Sequence, residues 1–303
     1  MALLFISSEE RAAVWIPIFE AAGETIVFGE DAVNDPAEIT HLFCWVPPKS
    51  LEIYPNLQVV ISAGAGVDQM PALPKGIALS RSLDPGISEM VRDWVVMATL
   101  MLHRDMPQYL EQARAGEWRS RTPRLVRNTR IGIMGLGRIG RLAARTLSDL
   151  GFTVSGWSQS GRPVEGVEVF AQDELNSFLA GANVVVCLLP LTPATQGLMD
   201  AEFFAALPKG AALVHAGRGA QLDMYALHAA LDSGHIATAM LDVTNPEPLP
   251  HDHWAWRHPR VVVTPHMAAE TDHEQGALHA LAVIRASRAK EPVPGFVDPD
   301  KGY

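Results

Sequence analysis

The 303-residue chain is 48% hydrophobic and 19% charged, which leaves enough apolar surface for two cores and excludes wholesale disorder. A formal charge of −10 argues against a nucleic acid or an anionic membrane as partner, because phosphate binding needs a basic face. The two cysteines, Cys44 and Cys187, both lie in apolar runs and read as reduced core thiols of a cytosolic, cytoplasmic protein. No Cys or His pair shows ligand spacing, so no metal is expected.

In chain order, "MALLFISSEE" lacks the cationic start and cleavage region of a signal peptide. The segments "ALLFIS", "TIVFG", "HLFCWV", "LQVVIS" and "GIALS" read as strands, with helices such as "EERAAVWIPIFEAAG" between some of them. That alternation predicts a small parallel α/β lobe. A helix then begins near Ile87. Its stretch "WVVMATLML" is too short to span a bilayer and, being apolar almost all round, is expected to be buried between two lobes. An arginine-rich stretch follows, with Arg119, Arg121, Arg124 and Arg127, whose default role is a solvated loop.

From Thr129 a second alternation runs through "RIGIMG", "FTVSGW", "NVVVCLLP", "AALVHAG", "ATAMLDV" and "RVVVTP". Six strands with intervening helices are the count of a complete dinucleotide-binding sheet. The last helical segment, "MAAETDHEQGALHALAVIRASRAK", is expected to return to the first lobe. The crossings are marked by "DPGIS" near Asp84 and "TPHMA" near His266. The fold class expected is therefore α/β, with two Rossmann-like lobes, parallel sheets flanked by helices, and an active site in the cleft between them.

In "GLGRIG", Gly135 permits the tight turn, Gly137 lets backbone approach a pyrophosphate, and Gly140 allows close helix–strand packing. The free amides of the helix that follows offer a positive end to the anion. A GxGxxG match alone is weak; here it follows an apolar strand and opens the helical "RLAARTLSDLG". The next strand ends in "GWSQSGR", with no acid before Glu165. A carboxylate at position 158 would accept bonds from a ribose 2′-hydroxyl and repel a 2′-phosphate. Ser158, Gln159 and Ser160 instead offer donors and Arg162 a cation, a cradle suited to NADP, so NADPH is expected to be preferred over NADH.

Three further strands end in polar residues on the same carboxyl edge: Arg218 in "LVHAGRG", Asp242 and Glu247 in "LDVTNPEPLP", and His266 in "VVVTPHMAAE". Hydride transfer to a keto acid needs a cation for the carboxylate and carbonyl oxygen, a proton donor, and a group that keeps the donor protonated. Arginine supplies a bidentate fork, histidine titrates near neutrality, and a glutamate raises its pKa. The other histidines of this region, His251, His253 and His258, lie in a loop that looks merely polar.

Together "IGIMGLGRIG", "LLPLTPATQGLMD", "VHAGRGAQLD", "AMLDVTNPEPLP" and "VVVTPHMAAET" occur in the order and spacing of the D-2-hydroxyacid dehydrogenases, and the chain resembles that family over nearly its whole length. "SAGAGVDQM" and the terminal "DPDKGY" place the resemblance in the glyoxylate/hydroxypyruvate reductase A subgroup. It implies a homodimer that reduces small 2-keto acids (glyoxylate and hydroxypyruvate, with pyruvate as a further candidate) to D-2-hydroxy acids. It implies a substrate-binding, flavodoxin-like domain of residues 1–91 and 268–303 and a dinucleotide-binding domain of residues 92–267.

By the same resemblance Arg218 would bind the substrate carboxylate and carbonyl, His266 would be the general acid and Glu247 its partner. The amides of Ala65 and Gly66 would cradle the carboxylate, and Trp45 would wall the pocket. Gly135, Gly137, Arg138, Ile139, Gly140, Pro190, Ala216 and Gly217 would line the cofactor, Thr195 would touch its phosphates, and Asp242 would face the nicotinamide carboxamide. The chain departs from the family at His215, where Asn is usual, and at Gly217, where Ala is common; His215 is read as structural. Two other readings belong to the same fold: an NAD-sensing corepressor-like protein, and a formate- or phosphite-type dehydrogenase.

Overall fold

The computed structural model describes residues 1–298; of the "DPDKGY" motif, everything from Pro299 on lies outside the described residues. Contacts divide the chain into two units, Met1–Ile87 with the stretch that starts at Glu270, and Ser88–Ala269.

In the first unit, strands β1 (Ala2–Phe5), β2 (Thr25–Phe28), β3 (Ile39–Cys44), β4 (Val59–Ser62) and β5 (Ala78–Ser80) form an all-parallel sheet in the order β2-β1-β3-β4-β5. All residues of β1, β3 and β4 are buried, Thr40 and His41 of β3 included, as strands covered on both faces should be. Helix α1 (Glu9–Ala21) starts at Ser8, whose hydroxyl accepts the Arg11 N–H, and has Glu9 and Glu10 in its first turn. Its buried residues Ala12, Trp15 and Phe19 fall on one face, and Trp15 packs against Phe5 and Phe43 with ring centroids 4.5 and 4.4 Å apart.

The second unit begins within α2 (Pro85–His103), followed by α3 (Met106–Ala115). It then alternates β6 (Arg130–Met134), α4 (Arg138–Asp149), β7 (Thr153–Trp157), β8 (Glu168–Phe170), α5 (Leu175–Ala180), β9 (Val184–Cys187), α6 (Ala201–Ala206), β10 (Ala211–His215), α7 (Met224–Asp232), β11 (Ile236–Leu241) and β12 (Val261–Val263). The sheet is parallel throughout, in the order β12-β11-β10-β9-β6-β7-β8. Strand order reverses between β6 and β9, and ligands of open α/β sheets bind outside the strand carboxyl ends at such a reversal. Helix α4 buries Gly140, Ala143, Ala144 and Leu147, the three- and four-residue spacing of one helical face.

Helix α8 (His273–Ala289) belongs to the first unit, where Ala277, Ala280, Leu281, Val283 and Ile284 join the core that contains Trp15. A Cβ at Gly276 would stand 3.1 Å from the Trp15 ring, so α1 and α8 meet there at glycine distance.

Three expectations need correction. The second sheet has seven strands, not six, because the three-residue edge strand β8 is too short to show a period. The last helix starts at His273, capped by Asp272, and not at Met267. Helix α2 buries Trp94, Val95, Ala98 and Leu102 but leaves Met97 42% exposed, so it is not covered on every side. No described helix is long and apolar enough to cross a membrane.

Candidate active site

The strand-end loops of the second unit carry most of the candidate residues. After β6, Gly135 has φ +97°, and a Cβ there would stand 3.0 Å from the Leu188 carbonyl oxygen of the loop after β9. A Cβ at Gly140 would run into the Gly135 carbonyl, so the first turn of α4 can pass the strand only with glycine there. At Gly137, by contrast, a Cβ would meet nothing within 4 Å. Gly137 is also the N-cap of α4 and supplies no side chain to its amides, so the backbone of Arg138, Ile139 and Gly140 opens on space that an anion can fill. These features fit a pyrophosphate.

Behind this loop, Ser158 closes β7. Its N–H donates to the Phe170 carbonyl of β8 at 3.1 Å, and its carbonyl accepts the Gly161 N–H at 3.2 Å. The resulting turn leaves Gln159, Ser160 and Arg162 exposed and Ser158 half-buried. Ser160 Oγ accepts the Arg162 N–H at 3.4 Å. The unrecognised strand β8 is thus what fixes the mouth of the turn.

In the loop after β9, Thr195 Oγ1 donates to the Pro190 carbonyl at 2.8 Å and accepts the Thr192 N–H at 2.8 Å. The hydroxyl knits the loop together, while Pro190 stays exposed. After β10, Ala216 N–H donates to the Cys187 carbonyl at 3.1 Å, and Arg218 Nη1 donates to the Gly217 carbonyl at 2.8 Å. His215 is fully buried, and burial pushes its pKa down to about 4. Its neutral ring donates from Nε2 to the Arg218 carbonyl at 3.0 Å. A residue missing from the candidates lies here: Gln221, also fully buried, accepts the Arg218 N–H at 2.9 Å and donates to the Leu189 and Pro190 carbonyls at 3.1 and 2.9 Å. A polar residue six places past a strand reads as loop, and only its burial shows otherwise.

At the ends of β11 and β12, Glu247 Oε2 and His266 Nδ1 are 2.8 Å apart. Glu247 sits between two cis prolyl bonds, at Pro246 and Pro248, and its Oε1 accepts the Thr244 N–H at 2.9 Å. The Glu247 hydrogen bond raises the pKa of His266; partial burial and the nearby Arg218 charge oppose it without reversing it. Burial pushes Glu247 up, but the bonds from His266 and the Thr244 amide outweigh it and hold the carboxylate below its usual range. His266 adopts a left-handed backbone, φ 51°.

Asp242 explains how that backbone is held. Only 2% exposed, its Oδ1 accepts from Thr264 Oγ1 at 2.6 Å and Met267 N at 2.9 Å, and its Oδ2 accepts from Ala268 N at 2.9 Å. The Asp242 carbonyl accepts the His266 N–H at 2.8 Å. The carboxylate assigned to a nicotinamide amide is therefore first of all the anchor of the His266 loop.

In the first unit, Trp45 follows β3 and is 50% exposed. Its ring lies over Gly64, where a Cβ would stand 2.8 Å from Trp45 Cζ3. The buried Ser62 hydroxyl receives Gly64 N at 3.3 Å and Gln69 Nε2 at 3.1 Å, bracing the turn from beneath. Among the described residues, the N–H groups of Ala65 and Gly66 donate to no protein acceptor, as an anion-binding turn requires.

The arginine-rich stretch is largely engaged with its own unit: Arg121 and Arg124 bracket Asp105 at 3.2 and 3.4 Å. The histidine loop is less inert than its composition suggests. His228 and Asp232, one turn apart on α7, come together with His258, with ligand-capable atoms all within 4.8 Å of one another. That spacing escaped the sequence reading because the third member is remote in the chain. The Arg260 N–H donates to His258 Nδ1 at 3.2 Å, which puts the ring proton on Nε2, facing the Asp232 carboxylate 3.6 Å away.

Residues 96–268 match the NAD binding domain of the D-isomer specific 2-hydroxyacid dehydrogenases. A glyoxylate/hydroxypyruvate reductase A of Yersinia enterocolitica is 34% identical over an alignment 314 positions long, covering all of both chains. A D-isomer specific 2-hydroxyacid dehydrogenase from Xanthobacter autotrophicus, solved with NADPH and MES, superposes with a TM-score of 0.93 at 40% identity, over 100% of this chain and 99% of the other. An NADPH-dependent glyoxylate/hydroxypyruvate reductase from Sinorhizobium meliloti, solved with NADP and sulfate, gives 0.90 at 32% identity over the whole of both chains. The chain belongs to the D-isomer specific 2-hydroxyacid dehydrogenase family.

Proposed function

We propose that the protein is an NADPH-preferring reductase of short 2-keto acids, with glyoxylate and hydroxypyruvate the first candidates and pyruvate the next. The observation that carries this reading is the Glu247–His266 pair, 2.8 Å apart, in the same field as Arg218 at the strand ends. When bound, the nicotinamide cofactor supplies the hydride. The second unit is its domain, with the Gly135–Gly140 loop on the pyrophosphate and Ser158, Gln159, Ser160 and Arg162 at the 2′-phosphate. The relatives solved with NADPH or NADP support that choice.

Arg218 binds the carboxylate and carbonyl oxygen of the acid, and Trp45 with the Ala65 and Gly66 amides makes the first unit the substrate domain. His266, protonated because Glu247 holds its Nδ1–H, presents Nε2–H as the proton donor to the nascent alkoxide. As the proton leaves, Glu247 keeps the ring oriented. We also propose a homodimer, consistent with the exposed apolar residues Met97, Leu110, Trp118 and Leu125 of the second unit; light scattering reads this directly.

The deciding experiment is NADPH oxidation over glyoxylate, hydroxypyruvate and pyruvate, repeated with NADH. Turnover of these acids, faster with NADPH, is expected. Cofactor binding without turnover of any acid would instead favour a nucleotide-sensing role.

A further inference from the structure

We propose that Gln221 is a positioning residue that locks Arg218 to the loop after β9, so that the acid-binding arginine and the cofactor loop keep one register. This rests on the assignment of Arg218 to the acid. The Gln221 side chain has two acceptor and two donor positions, and all four are used: Oε1 takes the Arg218 N–H at 2.9 Å and Cys187 Sγ–H at 3.6 Å, while Nε2 serves Leu189 and Pro190. The Gln221 carbonyl accepts the Met199 N–H at 2.9 Å, and the Ala220 carbonyl accepts the Gly197 N–H at 2.9 Å. One short stretch thereby holds both ends of the loop that spans Pro190 and Thr195.

Gly217 and His215 belong to the same device. A Cβ at Gly217 would run into Gln221 Oε1 and would stand 3.3 Å from His215 Cε1. His215 holds the Arg218 carbonyl, while Gln221 holds its N–H. Both peptide groups of Arg218 are thus fixed by buried side chains, and a Cβ at the next residue, Gly219, would run into the Thr244 carbonyl. The backbone of the arginine is thus held on both sides of its Cα. Removing the Gln221 amide strands the Arg218 N–H and the Leu189 carbonyl without these partners, and buried unpaired groups are costly enough to make the chain shift.

The test uses the full-length protein with Gln221→Met, which keeps the volume and removes every side-chain hydrogen bond. NADPH affinity is measured by fluorescence without acid, and glyoxylate KM at saturating NADPH, together with the pH profile of kcat and Tm. Both the NADPH Kd and the glyoxylate KM should rise about tenfold, the weight of one lost hydrogen bond. The pH profile should not move, since Gln221 touches neither Glu247 nor His266. A lower Tm with both constants unchanged overturns the proposal and makes Gln221 a core filler. If Gln221→Met fails to fold, Gly217→Ala reads the same point, because its Cβ would displace Gln221 Oε1: it should raise both constants. Gly217→Ala with both constants unchanged would overturn the proposal. Absence of keto-acid turnover in the wild type would sink the functional reading instead, while the NADPH affinity of the variants still reports on Gln221.

Discussion

Glu247 Oε2 and His266 Nδ1 stand 2.8 Å apart, although 19 residues separate them in the chain and His266 reaches the contact from a left-handed backbone. The pair sits at the ends of two neighbouring strands, so its geometry is set by the sheet and not by local sequence. Its electrostatic result is mutual: the histidine pKa is raised and the glutamate pKa lowered.

The first expectation follows from that pair. His266→Ala should lower kcat for glyoxylate reduction by roughly 10²–10⁴-fold, the usual contribution of a positioned acid. Reduction needs the imidazolium, so activity is lost as pH rises through the raised pKa of His266. Glu247→Gln removes the anion that raises it, and the alkaline limb should move to lower pH. A His266→Ala enzyme with near-wild-type turnover would exclude this residue as the donor.

Cofactor choice is tested at the turn after β7. The Arg162 guanidinium is the one full positive charge among the four residues assigned to the 2′-phosphate, and a charge-assisted bond is worth about 1.5–3 kcal/mol, roughly tenfold to a hundredfold in affinity. Arg162→Ala should raise KM for NADPH far more than for NADH. Ser158→Asp should reverse the preference, by repelling the phosphate and accepting from a ribose hydroxyl. Equal kcat/KM for the two cofactors in the wild type would show that the turn does not discriminate.

Much of the fold is legible in the chain because fully buried parallel strands appear as unbroken apolar runs, as in β4 and β9, both buried throughout. Strand β8 escapes because three residues at a sheet edge carry no period. The positions of Arg218, Asp242 and His266 just past strands are equally visible, whereas what each one touches is not. Gln221 looks like any loop glutamine until Gly217 is seen to clear the space its amide occupies. Asp242 is readable as an acid at a strand end, yet its donors Thr264, Met267 and Ala268 are 22 to 26 residues away. Long-range pairing of this kind has no local signature.

Acid sensitivity should come from buried histidines. His41 in the first unit and His215 in the second are 3% and 0% exposed, and burial pushes both down to about 4 from 6.5. The unfolded chain takes up these protons first as pH falls, so stability is full above pH 6.5 and lost between about pH 6.5 and 4. Each contributes at most about 3.5 kcal/mol, taking roughly 1.4 kcal/mol per pH unit. His266 works in the opposite direction: with its pKa raised, its contribution is present at low pH and fades as pH climbs through that raised value. Denaturant titrations should therefore show a falling midpoint from pH 6.5 to 4.5, less steep in His215→Asn. A flat midpoint over that range would mean that these rings are not buried neutral.

The final expectation separates holding His266 from holding substrate. Asp242 presents two carboxylate oxygens to a hydroxyl and two amides of the His266 loop. Asp242→Asn keeps the size but turns one oxygen into a donor. The Thr264 hydroxyl can rotate to accept, but backbone N–H groups cannot, so at least one of Met267 and Ala268 faces another N–H. The loop should then move by a fraction of an ångström to relieve the clash. Misplacement of a reacting group by about 1 Å can cost a hundredfold in rate, so kcat should fall on the order of tenfold to a hundredfold. Glyoxylate KM should change much less, because Arg218 is held by Gln221 and His215 and not by Asp242. Amide exchange at Met267 and Ala268 should quicken in the variant, which locates the damage independently of turnover. Protection unchanged at both amides, alongside wild-type kcat, would show that Asp242 does not anchor the loop.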